Sequence, residues 1–161
     1  MIINWLIRIN AKLQRIEDVL LPALFILTLL LAVLQIVLRN IFGVGLVWID
    51  PLLRILVLWL GMLGAMYATR KKRHISIDVI RHYLGPQLKQ QLQRLIYLAS
   101  SIICLICFYF SIPYLILEYE DGSSAFSQVP LWLTESIIPF ALLVMALRFL
   151  FFSLAPRKEI G

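Results

Sequence analysis

The chain has 161 residues, is 61% hydrophobic and carries a formal net charge of +6. A soluble domain is about 45–50% apolar, so this composition excludes a single water-facing fold. The hydrophobic runs far exceed the roughly 9–11 residues of a barrel strand, which excludes a β-barrel and leaves membrane helices.

The N-terminal segment places Trp5, Leu6, Ile9, Leu13 and Ile16 on one helix face, as an interfacial extension of the first span would. That span is expected over about 19–38. Its apolar run is too long for a signal peptide, and no small-x-small cleavage site follows, so it is expected to stay in the membrane. Gln35 and Arg39 close the span. A second span is expected over about 51–69. Asp50 directly precedes Pro51, which suits a helix cap, and it stands four residues before Arg54, which suits an ion pair; both readings stay open. Within this span, Trp59 beside Gly61 and Gly64 marks a helix-packing face, because small residues let helices approach closely.

The second span ends on Arg70, Lys71, Lys72, Arg73 and His74, an anchor for anionic inner-leaflet lipid. Val79, Ile80, Tyr83 and Leu84 then share a face, predicting a short amphipathic interfacial helix over about 76–84. Pro86 is positioned to open the next helix, which reaches the third span, about 95–117. Cys104 and Cys107 fall inside this span. As a CxxC pair they could support thiol-disulfide chemistry, but their mid-membrane position reads as packing. The loop beyond carries Glu118, Glu120 and Asp121 and no cation. The fourth span is expected over about 130–154, with Glu135 about one turn in and Arg148 near the far end, where it is expected to snorkel to the headgroups. Pro113 and Pro139 are expected to bend the third and fourth spans.

Lys and Arg concentrate before the first span, between the second and third, and after the fourth. The positive-inside rule therefore predicts an all-α, four-span membrane protein, a single domain over 1–161, with both termini and the middle loop cytoplasmic. The cations flank hydrophobic spans, so the charge sets topology and does not point to nucleic acid. In this topology Gln35, Arg39, Asp50, Arg54 and Glu135 fall in one outer layer, where structural packing or subunit contact is favoured over transport. The inner halves offer little that could continue an ion path. No haem-ligating histidine pair, HExxH motif, phosphate-binding loop or Ser-His-Asp set is present, so no catalytic residue, metal site or cofactor is expected.

The segment "LQIVLRNIFGVGLVWIDPLLRILVLWLGMLGAMYATRKKRHISID" resembles the small membrane subunit of tripartite ATP-independent periplasmic (TRAP) transporters, the DctQ-like family. Gln35, Arg39, Gly43, Trp48, Arg54, Trp59, Gly64, Ala65, His74 and Asp78 take the family's motif positions. Asp50 and Pro51 replace its paired glutamates, which strengthens the cap reading of Asp50. The resemblance implies a non-catalytic subunit in the bacterial inner membrane. Its implied partners are a large membrane subunit, which carries an organic anion inward on a sodium or proton gradient, and a periplasmic substrate-binding protein. The implied cargo is a carboxylate or sugar acid. Arg39, Glu118, Glu120 and Asp121 are the expected docking residues for the binding protein. A competing expectation is a self-sufficient homo-oligomeric exporter with Glu135 or Asp50 as its proton site.

Overall fold

The computed structural model describes residues 2–70, 86–126 and 129–154, with side chains over 13–70, 91–125 and 129–154. The interfacial helix expected over 76–84 and the run Lys71 to His74 lie outside the described residues. Helix α1 runs Ile2–Ile41, α2 Ile49–Arg70 and α3 Pro86–Asp121. A two-stranded antiparallel hairpin follows, β1 Ser124–Phe126 and β2 Val129–Pro130, and then α4 Leu131–Glu135 and α5 Ile137–Leu154. Four stretches are long and apolar enough to cross a membrane: Leu13–Ile41, Ile49–Arg70, Gln91–Asp121 and Leu131–Leu154. The expected four-span helical architecture is therefore present.

The helix ends follow local chemistry. After α1 the chain turns at Gly43, whose φ of 66° suits a residue without a Cβ. Gly122, with φ 62°, ends α3 in the same way. The fourth span breaks at Ser136, one turn before Pro139. A proline lacks the N–H for its own turn and crowds the carbonyl four residues back, here that of Glu135. By contrast, α3 runs unbroken through Pro113.

The helices pack α1 on α2, α2 on α5, and α5 most extensively on α3. The buried core sits where α2 meets α5 and consists of Leu63, Met66, Ala141, Met145 and Phe149. Tyr97 of α3 stacks on Phe149 with centroids 6.4 Å apart. Across the same contact the Ser101 hydroxyl donates to the Ala146 carbonyl at 2.9 Å. Both outer helices, α1 and α3, leave long rows of bulky apolar residues exposed, as helices facing lipid do.

Candidate functional site

The polar side chains of the spans collect in two layers. Glu17 and Gln35 on α1 are 18 residues apart, about 27 Å along a helix, close to the roughly 30 Å hydrocarbon thickness. One layer therefore lies near each membrane face. The layer that carries Arg70 is the inner one, named for the side that the positive-inside rule predicts to be cytoplasmic.

At the inner layer, consecutive acids of α1 meet arginines from two other helices. Arg148 of α5 donates Nη2 to Glu17 Oε1 at 2.7 Å and Nη1 to the Met66 carbonyl of α2 at 2.7 Å. Glu17 is 1% exposed and Arg148 6%. The expected snorkelling of Arg148 to the headgroups is thus overturned. A guanidinium that finds a carboxylate and a carbonyl inside the bundle has no need of lipid phosphate. The Met66 carbonyl also accepts the Thr69 hydroxyl at 2.6 Å. Next along α1, Asp18 accepts from Arg70 Nη2 at 2.5 Å, and Arg70 Nη1 donates to the Gln14 carbonyl at 3.0 Å. The Arg70 guanidinium also lies 4.9 Å from the centre of the Tyr67 ring. The inner ends of α1, α2 and α5 are thereby tied together by charge, in a part of the chain expected to offer little.

The outer layer divides into two groups. Gln35 is 7% exposed, and its Nε2 donates to Asp50 Oδ1 at 3.3 Å and to the Leu46 carbonyl at 3.4 Å. Asp50 lies in the first turn of α2, where a negative charge suits the helix N-terminus. Its partner is Gln35, and no ion pair joins it to Arg54. Arg39 and Arg54 are both exposed. The second group is Glu135, Glu118 and Tyr114, the tyrosine hydroxyl lying within reach of both carboxylates. Each glutamate has one oxygen, Oε2, buried without a hydrogen-bond partner. Glu118 belongs to the last turns of α3, half-buried beside Tyr114, while Glu120 and Asp121 are exposed at the helix end. Tyr119 meets Trp132 edge-on with centroids 5.6 Å apart, and the Leu131 N–H donates to the Ser123 carbonyl at 2.9 Å, so the hairpin is pinned onto α4.

Trp59 is the polar tie between α2 and α4: its indole N–H donates to the Thr134 carbonyl at 2.8 Å, beside the helix break. No described residue of another element crowds Gly61 or Gly64, since a Cβ at either would meet nothing within 4 Å. Cys104 is half-buried against the core and Cys107 is exposed. Between the layers the polar side chains are used locally. The Thr28 hydroxyl bonds the Leu24 carbonyl at 2.7 Å, one turn back on its own helix. No group of three or more potential metal ligands occurs among the described residues. The arrangement ties helices together and, among the described residues, does not form a continuous polar route across the membrane.

Sequence reading missed Glu17, Asp18 and Tyr114. The available signal for Glu17 was an acid near an apolar span with an arginine near the same end of the last span.

The family model described as tripartite ATP-independent periplasmic transporters, DctQ component, matches residues 28–155. The chain is 26% identical over 110 residues to the sialic acid TRAP transporter permease protein SiaT of Haemophilus influenzae (strain 86-028NP). That match covers 68% of this chain and 17% of the relative. It is 28% identical over 109 residues to the C4-dicarboxylate TRAP transporter small permease protein DctQ of Rhodobacter capsulatus, covering 67% of this chain and 48% of the relative. The matched part of the chain thus spans less than half the length of either relative.

Proposed function

Because the chain belongs to the DctQ component family of TRAP transporters, we propose that it is the small, non-catalytic membrane subunit of a secondary-active transporter for organic anions. It is a multi-pass protein of the bacterial inner membrane. In this reading it scaffolds a large membrane subunit that moves the substrate. It also helps dock a periplasmic substrate-binding protein through Arg39, Glu118, Glu120 and Asp121.

The observation that carries the reading is the disposition of polar groups. Internal ties at both ends fix α1, α2, α4 and α5 to one another, while among the described residues the middle of the bundle offers an ion no ladder of polar groups. A scaffold needs such rigidity and has no need of an ion path. The named cargoes of the two relatives, sialic acid and a C4-dicarboxylate, are both organic acids, which supports the substrate class. The exporter alternative requires Glu135 to pass protons inward, yet its neighbours Glu118 and Tyr114 are likewise at the outer end.

The test is purification of the tagged full-length chain from native membranes in mild detergent. A stoichiometric, much larger hydrophobic partner is expected. Proteoliposomes containing both polypeptides should take up an organic acid only when the binding protein is added. Isolation of the chain alone as a stable homo-oligomer, with transport activity of its own, would refute the proposal.

A further inference from the structure

Building on the subunit reading, we propose that the outward face of α2 seats a transmembrane helix of the large permease subunit, with Arg54 as its charged contact. The core side of α2 carries Ile49, Leu56, Leu63 and Met66, all buried. At about 100° per residue the opposite side carries Asp50, Arg54, Val57, Gly61 and Ala68 in one narrow stripe, and all five are exposed.

Two independent features set this face apart from one that meets lipid. The first is charge. Arg54 lies in the spanning segment, is exposed, and has no ion pair or hydrogen bond among the described residues. Ionisable side chains in spans are costly unless they face protein or a polar cavity and find a partner. The second is the lack of bulk. The exposed faces of α1 and α3 are built from residues such as Leu30, Ile36, Ile103 and Phe110, whereas Val57 is the sole large hydrophobic exposed between Ile49 and Arg70. Around Gly61 and Gly64 the face is open for 4 Å beyond where a Cβ would lie, so another helix can approach backbone to backbone.

The occupant follows from chemistry and from the relatives. The matched segment makes up 17% of the sialic acid permease of Haemophilus influenzae, so most of that permease lies outside it. A helix from such a larger polypeptide complements this face if it presents a carboxylate near the outer surface and bulky apolar side chains further in. A second copy of this chain fits less well. Inserted in the same direction, two copies would set Arg54 against Arg54 at equal depth.

The experiment co-expresses the tagged full-length chain with the large subunit of its own transporter and measures the large subunit recovered per tagged chain. Gly61→Trp fills the open face, and Arg54→Glu reverses the charge. Each is expected to lower recovery about tenfold, a loss of about 1.4 kcal/mol. Leu30→Trp on α1 and Ile103→Trp on α3 should leave recovery unchanged. Thermal midpoints of the purified variants should match the parent, which separates a blocked face from a misfolded chain. Full recovery with Gly61→Trp overturns the face assignment. Loss with Gly61→Trp but not with Arg54→Glu overturns the charged contact and assigns Arg54 to lipid phosphate. If the parent chain recovers no large subunit, the subunit reading fails and this inference fails with it.

Discussion

At the inner end of the bundle the charged groups face one another, and at the outer end several face away. Glu17 and Arg148 are 1% and 6% exposed and hydrogen-bonded to each other, with the Met66 carbonyl completing the contact. Arg39, Asp50 and Arg54 at the other end are exposed, and among the described residues only Asp50 has a partner, Gln35. Charges satisfied inside a chain hold that chain together. Charges left open in a membrane segment are available to something else. The inner layer is therefore read as structure and the outer layer as contact surface.

That comparison can be broken most directly at the buried pair. Arg148→Met leaves Glu17 uncompensated and should cost about 3–5 kcal/mol, read as a large fall in the unfolding midpoint in mild detergent. Replacing both members, Glu17→Met with Arg148→Met, should recover most of that loss, because two apolar side chains leave no stranded charge. If the single variant were as stable as the parent, the inner end would not be the fixed end.

Outer-end substitutions within the chain should cost less. Trp59→Phe keeps the ring bulk and removes the N–H to the Thr134 carbonyl, for about 1 kcal/mol. The turn between α1 and α2 offers a matched pair of glycines. Gly43 has a φ of 66°, so Gly43→Ala should cost about 1 kcal/mol. A Cβ on Gly45 would lie 3.6 Å from Gln35 Nε2, an ordinary contact, so Gly45→Ala should be nearly neutral. Thermal unfolding of the two variants side by side checks this, and equal losses would show that space and not backbone conformation governs the turn.

The contrast between the two ends also shows what could be read from the sequence. The four spans were legible because length and apolar composition alone specify a membrane helix. The outer polar set was legible because Gln35, Asp50, Arg54 and Glu135 interrupt or border apolar runs. The Gln35–Asp50 bond was not, since it depends on how α1 and α2 are rotated about their axes. The Glu17–Arg148 pair joins residues 131 positions apart, and no local pattern encodes such a partnership. Glu17 also precedes the expected start of the first span, although α1 runs unbroken through it from Ile2 to Ile41. Glu118 was read as a loop residue because acids cluster there, but α3 continues to Asp121 and places it on a helix beside Tyr114.

A small effect sharpens the comparison furthest, because it separates two acids that are neighbours in sequence. Glu17 and Asp18 both pair with arginine, but the side chain of Asp18 is 46% exposed and that of Glu17 is 1% exposed. About 100° of helical rotation separates them, which turns one into the bundle and the other towards its rim. A carboxylate at the rim loses little solvation on pairing, and its removal strands little. Asp18→Asn should therefore cost about 0–1 kcal/mol, with the loss shrinking as salt is added. Glu17→Gln should cost several-fold more and respond weakly to salt, because its partner Arg148 is shielded from solvent ions. Unfolding midpoints of the two variants at low and high ionic strength measure both quantities. Equal, salt-sensitive losses would mean that water reaches Glu17, and that the inner layer is an exposed charge network instead of a buried lock.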